Sequence, residues 1–393
     1  MSDYLIKGET LQDIANALRE KTGETGTFKV QDFATEIREI EAGGGDIDGL
    51  IDGTLTEVTS NATSIRDYAF YRWKTLSSVY FPQMTNITGK YAFQGTFNSM
   101  DITQDSFPMA TEIGERVFYS SQIKSANFSR VTTIGNSAFE NCTNLTTVDF
   151  PEATSIDRNA FSSCSKLVSI NLPKVTVLGE NAFQRCSNLE TISLPELTRV
   201  TTVNYGGQFS SCSKLKTINL PKLQNMVLAF FSYCQALTEV YLPQVSGQIS
   251  KSAFLNCNAL ETVILPKCTQ ISSNVFYSCY SLKKLVLGTE ATTNYVMSNT
   301  NCFSNCYHIL GTVNATYNPN GDKDGYIYVP LSRVEECRTT TNWTTVATQI
   351  MPWVATREEL DSIDNTLYDH ACVGEGVDSI EYIYDGDSWR IFR

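Results

Sequence analysis

Histidine is almost missing from this chain, with two copies among 393 residues. Neither His308 nor His370 sits at a spacing that would support metal binding or proton transfer, so both read as structural. The motifs of hydrolysis and phosphate binding are missing too: no G-x-S-x-G, no H-E-x-x-H and no phosphate loop occurs. No catalytic role and no cofactor is expected. No stretch approaches 18 consecutive apolar residues, so no membrane span is expected either. Positive charge is scarce. Thirty Lys and Arg stand against 42 Asp and Glu, for a net charge of -12 and a pI near 4.8, without a basic run. That balance argues against nucleic acid and anionic lipid as partners. The opening MSDYLIKGET lacks a basic start followed by an apolar stretch, so ordinary secretion is not the expected route. Assembly into a virion released by lysis is one alternative.

What the chain has is periodicity. Phenylalanines recur at 70, 93, 118, 139, 161, 183, 209, 231, 254, 276 and 303, with gaps of 21 to 27 residues. A period of this size marks a solenoid, in which each coil buries its apolar side only against its neighbours. Eight of the twelve cysteines fall three residues after a repeat phenylalanine, from Cys142 to Cys306. Trp73, Thr96 and Ser121 take that slot in the earliest repeats, so it does not demand sulfur. Cysteines stacked in parallel coils point the same way, which suits a disulfide poorly, and buried free thiols are the expectation.

One coil can be read from residues 142–164, CTNLTTVDFPEATSIDRNAFSSC. Leu145, Val148 and Phe150 face inward while Thr147 and Asp149 face out, the alternation of a short strand. Pro151 ends the strand because it cannot donate to a ladder. Ile156, Ala160 and Phe161 return to the core. The same phrase recurs as LVSINLP, LETISLP, LKTINLP, LTEVYLP and LETVILP. Stacked in parallel at about 4.8 Å per strand, eleven such coils make a rod on the order of 50 Å long.

This spelling, C-x-x-L-x-x-[IV]-x-[LF]-P followed by I-x-x-x-A-F, closely resembles the BspA-like class of bacterial leucine-rich repeats over roughly residues 54–311. The resemblance implies an α/β repeat solenoid with parallel strands. An N-terminal helical hairpin and a small C-terminal α/β cap are expected beside it. The third coil, QIKSANFSR, lacks both Cys and Pro, and the YGGQ stretch before Phe209 lengthens another; both read as surface bulges.

The ends differ from the array. Leu11, Ile14, Ala15 and Leu18 share one helical face behind a Thr10 capping box, and Val30, Phe33, Ile37 and Ile40 share another before Gly43-Gly44-Gly45. Two helices this short need a partner to be stable. They serve either as a capping hairpin for the first coil or as a docking and oligomerisation module. The segment YLIKGETLQDIANALREKTGETG, with Leu50 to Val58 following, resembles a leader on phage and prophage tail and fibre proteins, and that resemblance implies attachment to a virion. Residues 326–350 read as a strand and two short helices that cap the array. EYIYDGDSWRIF reads as a small β-hairpin. The expected divisions are 1–45 for attachment, 46–325 for the solenoid, 326–353 for the cap and 354–393 for a β module. Asn320 to Gly325 resembles the start of a calcium loop, but Leu331 stands where a bidentate Glu is required, so a polar turn is expected.

Two outward columns follow from the alternation. One holds Thr147, Ser169, Thr191, Thr217, Glu239, Thr262 and Lys284; the other holds Asp149, Asn171, Ser193, Asn219, Tyr241, Ile264 and Val286. The columns turn aromatic and apolar at Tyr241, Ile264 and Val286. A row of this kind marks either a ligand face or a surface covered by another part of the chain, with the C-terminal cap the candidate cover. On the first of these alternatives the binding residues are Tyr241, Ile264, Val286, Glu239, Lys284, Asn219 and Asn171. The function expected is a phage or prophage tail-fibre or receptor-binding protein of the virion. It would recognise a glycan or protein on a bacterial host through its rod and attach to the tail or baseplate through residues 1–42, as a monomer or homo-oligomer. The alternative is a BspA-like adhesin at the bacterial cell surface.

Overall fold

The computed structural model describes residues 56–97, 100–201, 206–288, 294–374, 379–384 and 386–392. The helices expected over residues 1–42 lie outside them. The described chain winds into a parallel β-solenoid. Each coil contributes a strand of three to five residues to one side, and fourteen such strands run in series from Glu57–Thr59 to His370–Val373. Pairing is parallel and in register: Thr147–Asp149 lies between Ser125–Asn127 and Ser169–Asn171. A second, shorter ladder runs along another side, where Ser155–Ile156 pairs with Thr133–Ile134 before it and Val177–Leu178 after it. Helix among the described residues is confined to short pieces after residue 299, such as Tyr307–Leu310, Val334–Thr339 and Arg357–Leu360.

The segment around each repeat phenylalanine is not a strand, yet its backbone is laddered too. The N–H groups of Asn159, Phe161 and Ser163 donate to the carbonyls of Glu180, Ala182 and Gln184 in the next coil, at 2.8, 2.8 and 2.7 Å. The intervening N–H groups of Ala160, Ser162 and Cys164 close tight turns onto Asp157, Asn159 and Phe161. Alternate donors therefore point along the rod and back along the chain, and each of these six has a partner. The geometry requires φ > 0 two residues before and after the phenylalanine. Asn159 (54°) and Ser163 (62°) flank Phe161, and Asn181 (56°) and Arg185 (61°) flank Phe183. A positive φ at the third residue of a turn is the type II signature, and Asn tolerates it better than most side chains.

Inside, the phenylalanines form one continuous stack. Ten successive ring pairs from Phe70 to Phe303 lie with centroids 5.2 to 5.9 Å apart and planes within 16°. The spacing slightly exceeds the ~4.8 Å strand separation, which gives offset rather than face-on stacking. Burial supplies the larger share, about 1.5–3 kcal/mol per ring, against about 0.5–1.5 for ring–ring geometry. The longer intervals before Phe209 and Phe303 leave the stack intact, at 5.8 and 5.5 Å.

All twelve cysteines are free and buried. The ladder thiols also do more than fill space. From Cys142 to Cys306 each Sγ donates to the carbonyl of the repeat phenylalanine one coil earlier, at 3.0 to 3.2 Å. Thr96 makes the same bond to Phe70 through its hydroxyl, at 2.5 Å. A hydroxyl on a small side chain can replace the thiol as donor, which accounts for Thr standing in for Cys at residue 96.

The array does not stop where the phenylalanine period fails. Tyr326–Pro330 pairs with Lys284–Leu287, Ile350–Val354 pairs with Tyr326–Pro330, and His370–Val373 follows, all parallel. Ile380–Tyr384 and Trp389–Ile391 then add antiparallel strands. The expected cap and β module thus join the last coils in one eight-stranded sheet.

Burial pushes the thiols of Cys142, Cys212 and Cys257 from 9.0 up to about 12. Unfolded thiols ionise near pH 8.5–9, so above that range the unfolded chain holds fewer protons and stability falls with rising pH. The loss runs from about pH 9 to about 12, at up to ~1.4 kcal/mol per pH unit for each thiol. Below pH 9 these groups add no pH dependence. Chemical denaturation from pH 8 to 11 should reveal this slope, reduced in a Cys212→Ala/Cys257→Ala variant. A thiol reagent at pH 8 should label none of the twelve until the protein unfolds.

Candidate binding surface

The outer face of the strand side of the coils divides into an open stretch and a closed one. Its strands fall into separate ladders, with Thr147–Asp149 and Ser169–Asn171 in one, Thr191–Ser193 and Thr217–Asn219 in the next, and Glu239–Tyr241 onward in the eight-stranded sheet. In the open stretch Ser169, Asn171, Thr191, Ser193, Thr217, Asn219 and Glu239 are exposed, and Thr147 and Asp149 are half-buried. Side chains in one column bond along the rod: Asn171 Nδ2 donates to Asp149 Oδ1 at 2.7 Å, and Asn219 Nδ2 to Ser193 Oγ at 3.0 Å. Charged residues flank the columns in coil-to-coil pairs, Lys174 with Glu152 and Lys222 with Glu196 at 2.7 Å, and Lys216 with Glu190 at 2.9 Å. Lys216 holds the Glu190 carboxyl below its usual range by hydrogen bond and charge. These pairs are exposed and add little to stability.

Ile264 and Val286, expected on an open ligand face, are 1% and 2% exposed. That expectation is corrected. With Tyr326, Tyr328, Met351, Trp353 and Cys372 they form a second apolar cluster on the outer side of the sheet, and Tyr241 packs half-buried at its margin. The column continues beyond residue 286 because Val286 is in register with Tyr328, and Tyr328 with Met351.

The cover is the C-terminal end of the same sheet. Lys284, also expected on the open face, is buried; its Nζ donates to the Ser379 carbonyl at 2.7 Å and lies 3.8 Å from Glu381 Oε1. On a flat sheet four strand steps would separate these strands by about 19 Å. Tyr326 and His370, two steps apart, stack with centroids at 4.2 Å where a flat sheet would give about 10 Å. The sheet therefore curls over its own outer face. Trp353 ties its strand to the end of the next one by donating Nε1–H to the Gly374 carbonyl at 2.7 Å. The sequence reading placed EYIYDGDSWRIF in a hairpin but missed Ser379 and Glu381 as partners of Lys284. Nothing within 90 residues of Lys284 announces that contact.

Elsewhere the two histidines pair with neighbouring carboxylates, His308 with Asp324 at 2.6 Å and His370 with Asp369 at 2.9 Å. Among the described residues no group of three or more His, Cys, Asp or Glu side chains converges as a metal site would require. The polar turn at residues 320–325 is braced from within by Asn318, which bonds both the N–H and the carbonyl of Asp322. A cleft of about 760 Å³ opens between Lys323, Gln349 and Tyr368. His370 stacks on one face of its Tyr326, and the Arg338 guanidinium lies over the Tyr368 ring. Lys323 Nζ is bonded to Thr348.

In-register parallel coils, an inward Leu/Ile/Phe spine and a short strand on one side define a leucine-rich repeat protein. Six copies of the BspA type leucine rich repeat region match residues 54–152, 111–226 and 200–310, and the chain belongs to that family. Similar solved structures include a leucine-rich repeat protein from Bacteroides ovatus, at 20% identity over 73% of this chain and 82% of that one, with a TM-score of 0.49. A leucine-rich repeat protein from Eubacterium ventriosum aligns at 19% identity over 68% and 87%, with a TM-score of 0.39. A leucine rich cell surface protein from Faecalibacterium prausnitzii aligns at 21% over 61% and 80%, with a TM-score of 0.31. No curated protein matches the chain.

The Lys284–Glu381 contact generates a test. Lys284→Ala removes a buried cation 3.8 Å from a fully buried carboxylate together with the donor to the Ser379 carbonyl, and breaking a buried pair typically destabilises by about 3–5 kcal/mol. Hydrogen exchange should show lost protection in Ile350–Val354, His370–Val373 and Ile380–Tyr384, with protection retained in the coils from Thr133 to Asn219. Uniform loss along the rod would mean that the pair does not hold the cover.

Proposed function

We propose that the chain is a non-enzymatic recognition protein that presents the open part of its strand face, from Thr147 to Glu239, to a receptor on a bacterial surface. The observation that carries this reading is the division of the outer face. Its apolar end is sealed by the chain's own C-terminal strands, while consecutive coils of the same face stay open. Asn171, Asn219 and Glu239 belong to the contact surface on this reading, Tyr241 marks its edge, and Ile264, Val286 and Lys284 support the cover. The coil array supplies rigidity, so recognition rests on a preorganised surface.

The setting we infer is the virion of a phage or prophage, with residues 1–42 joining the rod to a tail or baseplate protein and, in a homo-oligomeric fibre, to other copies. Support for it comes from the leader-like sequence of residues 1–58. A second reading, an adhesin on the bacterial cell surface, draws on membership of the BspA-type family and uses the same face.

Sedimentation of purified protein with envelopes from a panel of gut and Gram-positive bacteria tests the reading. Binding to at least one envelope is expected. It should fall at least tenfold in Asn171→Arg/Asn219→Arg and stay unchanged in Tyr233→Ala, whose exposed ring lies on the turn side of the coil. Equal binding by the double variant, with its fold intact by circular dichroism, would reject the face.

A further inference from the structure

We propose that the ligand of the open strip is a neutral polysaccharide chain, an inference that rests on the recognition role proposed above and names its ligand class. The strip is built almost entirely from groups that both donate and accept hydrogen bonds. Hydroxyls stand at Thr147, Ser169, Thr191, Ser193 and Thr217, and amides at Asn171 and Asn219. Sugar hydroxyls have the same dual character, so each can exchange its bonds to water for bonds to such an array.

Two other ligand classes fit worse. A protein partner needs a desolvated centre of aromatic or aliphatic anchors, and the two columns carry no aromatic or aliphatic side chain from Thr147 to Asn219. The strand isoleucines between them, Ile170 and Ile218, pack against the internal core. A polyanion needs cations, yet the only formal charges in the columns between Thr147 and Tyr241 are Asp149 and Glu239, in a chain of net charge -12. The flanking lysines Lys174, Lys216 and Lys222 are held by glutamates one coil away.

The repeat adds a geometric argument. The same pair of positions returns coil after coil, in register at about 4.8 Å within the strand pair Thr147–Asn171 and again within the pair Thr191–Asn219, so the strip presents a repeating surface over four coils. Such a surface suits a polymer of repeating units better than a single terminal sugar, for which a pocket would be needed. Individual contacts of this kind are weak, and the gain comes from their number and from multiple rods.

Two measurements with the full chain test the proposal. In affinity gel electrophoresis, soluble neutral polysaccharides (mannan, dextran, laminarin and the neutral fraction of bound envelopes) are cast into the gel. Retardation by at least one is expected, weakened at least tenfold in Asn171→Leu/Asn219→Leu, which keeps side-chain size and removes the amides. In parallel, envelope binding is challenged with the neutral and the teichoic acid fractions of the same envelopes, and with protease-stripped envelopes. Displacement by the neutral fraction and indifference to protease support the proposal. Loss of binding on protease treatment, tighter binding by the leucine variant, or displacement by teichoic acid alone overturns it while leaving the recognition role standing. No envelope binding and no retardation overturns both.

Discussion

Every coil of this protein depends on the next one for its hydrogen bonds. A strand of three residues cannot be stable alone, and a turn with two positive φ angles is strained in isolation. Both become favourable because the neighbouring coil, offset by one strand spacing, accepts each N–H that points along the rod. The phenylalanine stack and the thiol-to-carbonyl bonds repeat the same dependence with side chains. Cys164 bonds the carbonyl of Phe139 while its own coil's Phe161 carbonyl is bonded by Cys186. The interaction that holds the molecule together is therefore always between coils.

Since the interior is fixed by that repetition, the outward positions are free to vary without disturbing the fold. They have diverged along the rod. From Thr147 to Asn219 they are small, polar and solvent-facing, and their neighbours are charge pairs that close on themselves. From Tyr241 onward the same columns become large and apolar, and the sheet responds by curling until its last strands lie over them. One architecture thus yields an open surface and a second buried cluster on the same face. The Lys284–Glu381 pair lies two coils inside the closed regime, and the curl allows Lys284 to reach a carboxylate that a flat sheet would place four strands away.

The division bears directly on function. A continuous exposed apolar row would have pointed to a protein interface with aromatic anchors at Tyr241 and its neighbours. With Ile264 and Val286 under cover, the open surface on this face is mainly one of hydroxyls and amides, and the recognition role proposed above rests on that chemistry. Affinity on such a face depends on the rigidity and repetition of the scaffold more than on any single residue.

The spacing of the phenylalanines by itself determined that the chain coils, and the alternation in phrases such as LTTVDFP determined which residues point inward, because both signals act between near neighbours in the stack. The thiol ladder was partly legible: the slot three residues after each phenylalanine stood out, but its donor role needed the carbonyl one coil below. The three further coils after Phe303 were hidden, since Tyr326–Pro330, Ile350–Val354 and His370–Val373 lack the phenylalanine period and are separated by helices and turns. Only the tertiary structure decided whether Ile264 and Val286 face a ligand or a cover. That outcome is set by Lys284 meeting Ser379 and by Tyr326 meeting His370, contacts between residues 95 and 44 positions apart, which no local pattern encodes.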